Sequence, residues 1–324
     1  MPSIGLEPTP AIQVAAGVLQ DATGQVLLTR RAPEAHQGGL WEFPGGKREP
    51  GETLEQALAR ELDEELGIQV LATEPVISVA HDYGDRRVRL VVRRVIRWRG
   101  VPHGREGQPL RWAAPDDLPA LPMPAADRPI VAALRLPDRM AITGGDAQDR
   151  RGFLGGLEGL LADGVGWVQL RTPGLAAAVW DGLARAALDL CRARGAHLLL
   201  NPPAGVSLAG LPAADGLHLN GRRLAALAER PPGWAWVGAS CHGPADLARA
   251  AALGLDYAFL SPVLPTPSHP GTRPLGWDGF AAWVDDAALP VYALGGVTPG
   301  DIPRARALGG QGVAGIRGFR AAGT

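Results

Sequence analysis

With 324 residues, 46% of them hydrophobic and 20% charged, the chain is long enough for two globular domains of ordinary size. A formal net charge of −1 excludes a protein that coats a nucleic-acid polymer, because that task needs a basic surface. No apolar run reaches the roughly 18 residues of a membrane span, Met1–Gln20 lacks the basic start of a signal peptide, and two cysteines, Cys191 and Cys241, make no disulfide framework, so a cytoplasmic protein that binds no membrane is expected.

In chain order, Ala11–Gln20 and Gln25–Arg31 read as strands around a turn at Asp21–Gly24. Thr53–Leu66 reads as a helix, opened by the capping-box pair Thr53 and Gln56 and stopped at Gly67. Arg86–Arg99 is a long strand with Val88, Leu90, Val92, Ile96 and Trp98 expected on one face. Its other face carries Arg87, Arg89, Arg93, Arg97 and Arg99, read as a solvated face, with a field for polyphosphate as the alternative. Pro119–Pro129 leads into a short helix, Ile130–Leu136, and the pattern breaks at Pro137–Asp138.

From Met140 onward, short apolar runs alternate with helical stretches. Strands are expected at Met140–Thr143, Trp167–Arg171, His197–Asn201, Gly216–Leu219, Trp236–Cys241, Tyr257–Ser261, Val291–Leu294 and Gly312–Ile316. Helices are expected between them at Leu175–Arg194, Ala245–Leu253 and Trp277–Asp286. This alternation predicts a compact (β/α)8 barrel, with a doubly wound sheet as the structural alternative.

The helix over Thr53–Leu66 carries the chemistry. At about 100° per residue, Leu54, Ala57, Leu58, Leu62 and Leu66 mark an apolar arc, and Glu61 and Glu65 fall in the middle of it with Glu64 on its edge. Gln56, Arg60 and Asp63 take the polar face, while Glu55, also on the arc, is free to splay outward in the first turn. A run of acids is ordinarily a solvated face, but two carboxylates aimed where a core should lie oppose that reading. Like charges at i,i+3 and i,i+4 also cost roughly 0.2–0.5 kcal/mol per pair. A hard divalent cation relieves both penalties and takes substrate phosphates as further ligands. The chain's single lysine, Lys47, sits just before this helix and is a candidate substrate contact, with chance retention as the alternative; no Schiff-base lysine exists anywhere else.

The segment Gly46–Ile68 resembles the Nudix signature at each defined position: Gly46, Glu52, Arg60, Glu61, Leu62, Glu64, Glu65, Gly67 and Ile68. The resemblance implies an α/β/α sandwich over residues 1–137. It implies Mg²⁺, with Mn²⁺ as an alternative, held by Glu64, Glu65 and the carbonyl of Gly45. Glu61 would orient or deprotonate the attacking water, with Arg60 steering it. Over most of residues 11–136 the chain is further similar to the MutT-type branch, the 8-oxo-dGTP diphosphatases. That likeness implies nucleotide contacts from Arg31 and His36, a purine- and metal-lining strand end at Glu42, Phe43, Pro44 and Gly45, and a base-covering loop with Tyr83, Asp85 and Arg86. It adds Glu106 as a metal ligand, and places Asp127 where those proteins read the base with an asparagine. The implied reaction is conversion of 8-oxo-dGTP to 8-oxo-dGMP and pyrophosphate, which sanitises the nucleotide pool. Hydrolysis of a pyrophosphorylated thiamine intermediate or analogue is the alternative.

Residues 138–324 resemble the thiamine-phosphate synthase/TenI barrels through Val168–Arg171, Ala214–Leu219, Val237–His242, Ser261–Pro267 and Ala293–Pro299, in that order. The resemblance implies a compact (β/α)8 TIM barrel, with Arg171 and His242 as functional candidates and Gly295, Gly296 and Gly315 as a phosphate cradle. Thr172–Pro173 stand where a synthase carries a lysine, and Asn201 and Asn220 replace its magnesium-binding aspartates. A TenI-like isomerase or sensor of a thiamine-related phosphate, and a structural module kept by fusion, both remain open.

Overall fold

The computed structural model describes residues 11–84, 86–267 and 271–319, and the chain divides into two compact units between Arg135 and Leu136. The first unit contains β1 (Ile12–Leu19), β2 (Val26–Arg30), β3 (Trp41–Glu42), β4 (Gly45–Lys47), α1 (Leu54–Leu66), β5 (Gln69–Asp82), β6 (Arg87–Arg99), β7 (Leu110–Ala113) and α2 (Arg128–Arg135). Its main sheet runs β4-β1-β6-β5, with β1 and β6 parallel and the outer pairs antiparallel, and a smaller sheet runs β3-β2-β7.

Strand alternation divides β1 between two jobs. Ala15 and Leu19 join the core under α1, with Ala57, Leu58, Leu62 and Leu66. Gly17 faces the same way, where a Cβ would stand 3.1 Å from Leu62 Cδ1. Val14 and Ala16 point to the opposite face and line a cavity there. The helix ends follow the sequence: Thr53 Oγ1 accepts from the Gln56 N–H at 3.2 Å, and the Thr53 N–H donates to Gln56 Oε1 at 2.7 Å. Gly67 closes the helix in the left-handed region, φ 66°, and its N–H donates to the Asp63 carbonyl.

The face assignment of β6 needs correction at its far end. Ile96, expected to point inward, is 55% exposed, whereas Val95 is buried. The cause is a β-bulge: Ala72 pairs with Arg97 and Thr73 with Val95, so Ile96 is the extra residue and swings outward. The arginine face is also partly anchored, since Arg93 Nε donates to Thr73 Oγ1 at 2.8 Å and its Nη1 lies 3.1 Å from Glu55. Strand β5 escapes a reading by periodicity because three register shifts and Pro75 break its alternation.

In the second unit β8 (Arg139–Ile142), α3 (Arg150–Ala162), β9 (Trp167–Arg171), α4 (Ala177–Ala193), β10 (His197–Asn201), β11 (Gly216–Leu219), α5 (Gly221–Ala226) and β12 (Trp236–Cys241) come first. They are followed by α6 (Pro244–Ala252), β13 (Tyr257–Leu260), α7 (Gly276–Asp285), β14 (Val291–Leu294), α8 (Ile302–Ala307) and β15 (Gly312–Gly315). The parallel strands β8–β15 close into a barrel because β15 pairs back onto β8, which rules out the open doubly wound sheet. Its interior is packed with Tyr257, Phe259, Tyr292 and His218. Among the described residues, no helix is long and apolar enough to cross a membrane.

Candidate active site

In the first unit the carboxylates of α1 meet the glycines of β4. Gly45 adopts φ 141°, and a Cβ there would stand 2.1 Å from the Ala15 carbonyl oxygen. Its N–H donates to Glu65 Oε2 at 3.2 Å. At Gly46 a Cβ would stand 2.2 Å from the Glu61 carboxyl carbon, so that carboxyl lies against bare backbone. Burial, together with the nearby charges of Glu61, Glu42 and Glu106, pushes the Glu65 carboxyl up to about 8, against the lowering effect of the Gly45 N–H. Glu65, half-buried with the Gly45 N–H on it and further acids around it, offers hard oxygen donors that suit Mg²⁺ or Mn²⁺. Among the described residues, no three such side chains already converge as a metal cluster.

Arg60 explains part of that spread. Its guanidinium donates to Glu52 at 2.8 and 3.2 Å, to Glu61 Oε1 at 3.0 Å, to Glu64 Oε2 at 3.1 Å and to the Lys47 carbonyl at 3.1 Å. Glu64 is thus drawn to the arginine and is 55% exposed. Glu52 is held below the usual carboxylate range, chiefly by Arg60. Arg60 therefore acts as a clamp that aligns three acids. Glu106 reaches the cleft from the loop before β7, where Glu65 and Glu106 line a cavity of about 580 Å³ together with Arg31 and Glu42. Gln108, which the sequence did not single out, holds that loop on α1: its Nε2 donates to the Glu65 carbonyl at 3.0 Å and its Oε1 accepts from the Glu106 N–H at 2.9 Å. The turn glycines Gly104 and Gly107 are the only local signal of it.

Arg31 and Glu42 also line a second, smaller cavity of about 150 Å³, with His36, Phe43, Gly45, Tyr83, Arg86 and Asp127. Eight of the ten expected substrate contacts thus share one pocket. Pro44 lies outside it, its carbonyl accepting from the Gly17 N–H at 2.8 Å. Lys47 is exposed and lines neither cavity. Asp85 falls outside the described residues. Arg31 and Glu42 form an ion pair, and burial raises the Glu42 carboxyl against the opposing pull of Arg31. Asp127 is 4% exposed, and its Oδ2 has no hydrogen-bond partner among the described residues. Burial, with the Glu42 charge, pushes Asp127 up to about 8, Arg31 opposing.

The barrel has its own cavity, about 330 Å³, at the carboxyl ends of its strands. Arg171, His242, Gly295, Gly296 and Gly315 all line it. His242 Nδ1 lies 3.0 Å from the Ser261 carbonyl, and its backbone N–H donates to Asp246 at 2.8 Å. Sequence reading assigned nothing to Gln169, Ser240 or Arg317, which line the same mouth. Ser240 Oγ is 2.9 Å from His218 Nε2, and His218 Nδ1 is 3.1 Å from the Tyr257 hydroxyl. Complete burial, aided by Arg171, drives His218 down to about 3, so this imidazole stays neutral.

Comparison with known proteins separates the chain at the same place. A family model described as a NUDIX domain matches residues 15–133, and one described as thiamine monophosphate synthase matches residues 140–319. An 8-oxo-dGTP diphosphatase of Escherichia coli (strain K12) is 40% identical over 124 residues, covering 38% of this chain and 96% of that protein. A CTP pyrophosphohydrolase of the same organism is 38% identical, covering 38% of this chain and 90% of that protein. A putative thiamine-phosphate synthase of Geobacter sulfurreducens is 41% identical over 167 residues, covering 51% of this chain and 78% of that protein.

Proposed function

Because the chain belongs to the Nudix family over residues 15–133 and to the thiamine monophosphate synthase family over residues 140–319, we propose that its first unit is a cytoplasmic pyrophosphohydrolase of oxidised purine nucleoside triphosphates, with 8-oxo-dGTP as substrate. The observation that carries this reading is the pairing of two cavities through Arg31 and Glu42: an acidic cleft suited to a triphosphate with its cation, and a smaller, half-buried pocket suited to a base. Glu65 and Glu106, with Glu64 and the Gly45 carbonyl, would hold a divalent cation, which when bound would neutralise phosphate charge and orient the leaving group.

This chain's residues supply the rest. Glu61, fixed between Gly46 and Arg60, accepts a proton from the attacking water as its oxygen bonds to phosphorus and the bond to the leaving group breaks. Arg60 positions the carboxylates and touches no reacting atom in this scheme. Arg31 and Glu42, standing in both cavities, connect base and phosphate recognition.

Asp127 supports the choice of base. An ionised carboxylate only accepts hydrogen bonds, but a neutral carboxyl has an O–H donor beside a carbonyl acceptor, and so, like an asparagine amide, can meet a donor and an acceptor at once. Guanine presents two acceptors, O6 and N7, on that edge, whereas 8-oxoguanine presents O6 beside an N7–H. Burial keeps Asp127 protonated near neutrality, so its O–H can donate to O6 and its carbonyl can accept from N7–H. The fusion to a thiamine monophosphate synthase domain favours a second reading, hydrolysis of a pyrophosphorylated thiamine compound. The deciding experiment measures pyrophosphate or phosphate release from 8-oxo-dGTP, dGTP, CTP and thiamine diphosphate by the intact chain. Preference for 8-oxo-dGTP, abolished in Glu65→Gln, is expected. Equal turnover of 8-oxo-dGTP and dGTP would overturn the sanitising role, and an active Glu65→Gln would overturn the metal site.

A further inference from the structure

The last turn of α1 ends in carbonyls that its own helix cannot satisfy, and it brings no basic side chain to meet them. The loop before β7 supplies donors instead. The His103 N–H donates to the Leu66 carbonyl at 3.1 Å, and the Arg105 N–H to the Glu65 carbonyl at 2.9 Å. The Arg105 guanidinium donates to the Asp63 carbonyl at 2.8 Å, and Gln108 Nε2 is a second donor to the Glu65 carbonyl at 3.0 Å. Residues 103–108 thus cap the C-terminus of the helix that carries Glu61, Glu64 and Glu65.

The contacts within this cap differ in what they reach. Those of His103 and Arg105 fasten the incoming arm of the loop, ahead of Glu106. Among the described residues of the cap, Gln108 alone hydrogen-bonds to both Glu65 and Glu106, donating to the carbonyl of the first and accepting from the N–H of the second at 2.9 Å. One amide therefore spans an acid of the helix and an acid of the loop that line the same cavity. The turn between them is tight. The Gly107 N–H donates to the Gly104 carbonyl at 3.3 Å, and a Cβ at Gly104 would stand 2.3 Å from the Gln108 carbonyl oxygen.

Glu106 is exposed and Gln108 is half-buried. An exposed carboxylate on a loop loses conformational freedom when it takes a ligand, and that loss subtracts from affinity. A partner that fixes the peptide of Glu106 beforehand reduces the loss. A cap serving stability alone would need donors to the helix carbonyls, but no acceptor for the Glu106 N–H.

We propose that Gln108 is a positioning residue of the hydrolytic centre, its amide setting Glu106 against Glu65 so that loop and helix present their oxygens to one divalent cation. Gln108 acts through Glu106 and touches no reacting atom. The inference rests on the cation site proposed above.

Mn²⁺ titrated into the full-length chain without nucleotide, with the free ion read by electron paramagnetic resonance, tests this apart from turnover. Gln108→Met keeps the length of the side chain and deletes both hydrogen bonds. It should weaken Mn²⁺ binding about tenfold, as loss of a partner to a metal ligand does, and Glu106→Gln should weaken it at least as much. The double variant should bind within about twofold of Glu106→Gln alone, because the two residues act as one unit. Arg105→Ala removes a bond to the same helix end without touching Glu106, and should keep Mn²⁺ affinity within about twofold of the wild type. In steady-state assays Gln108→Met should need about tenfold more Mg²⁺ for half its maximal rate, with kcat at saturating Mg²⁺ nearly unchanged. Wild-type Mn²⁺ affinity in Gln108→Met, equal losses in Arg105→Ala and Gln108→Met, or additive losses in the double variant would overturn the positioning role while leaving the cation site standing. Wild-type affinity in Glu106→Gln would overturn Glu106 as a ligand, and this inference with it.

Discussion

Replacing Asp127 by asparagine keeps the shape of the side chain and removes its ability to ionise. With a carboxyl near 8, about nine-tenths of wild-type molecules carry the proton at pH 7 and about one-tenth at pH 9. If only the protonated form reads the O6 and N7–H edge, apparent selectivity scales with that fraction. The ratio of kcat/KM for 8-oxo-dGTP to that for dGTP should therefore fall about tenfold between pH 7 and pH 9 in the wild type and stay level in Asp127→Asn. Taking the ratio cancels whatever pH does to the cation and the attacking water, because both substrates share them. Stability gives an independent check. A carboxyl raised from 3.8 to about 8 on folding stays protonated in the native state while the unfolded chain ionises, so native stability falls as pH rises through that window. The slope is about 1.4 kcal/mol per pH unit, so the wild type should lose roughly 4 kcal/mol relative to Asp127→Asn between pH 4 and pH 7. Urea titrations of both proteins across that range measure it. A wild-type selectivity ratio that is level from pH 7 to pH 9, or a stability difference that does not grow with pH, would refute the neutral carboxyl.

Gly46→Ala sets a Cβ 2.2 Å from the Glu61 carboxyl, the far end of a flexible side chain, so the fold should survive while Glu61 is displaced. Steady-state kinetics should show kcat lowered by about a hundredfold or more with KM little changed. Divalent-cation binding at pH 7 should release protons, because Glu65 sits near 8 without the ion and must ionise to bind it. Calorimetry in buffers of different ionisation enthalpy reads that release, and a result independent of buffer would exclude Glu65 as a ligand. Leu62→Ala empties a fully buried site between α1 and β1 and should cost about 2–5 kcal/mol in chemical denaturation of the first unit.

Much of this was legible in one dimension. Helix α1 carries its own start and stop signals, Thr53 with Gln56 and then Gly67, all of which act within a few residues. Its acids announce themselves because periodicity places Glu61 and Glu65 on an apolar arc. The barrel strands were readable because each is a short apolar run between turns. Bulges defeated the same logic on β6, where Ile96 faces out, and on β5, where alternation is broken. A bulge is a mismatch between two strands, and neither strand records it alone.

Local sequence thus determined the elements, the acidic helix and the family likeness of both units, since those depend on spacing along the chain. Only the tertiary structure decided which of these residues share a cavity and in what state. It made Arg60 a clamp on Glu52, Glu61 and Glu64, brought Gln108 onto α1 to hold the Glu106 loop, and left Lys47 outside both clefts. It also buried Asp127 and set the Glu42 charge near it, which pushes its carboxyl up to about 8 and leaves it a donor as well as an acceptor at neutral pH. Charge state follows from desolvation and from neighbours distant in sequence, and both exist only once the chain is folded.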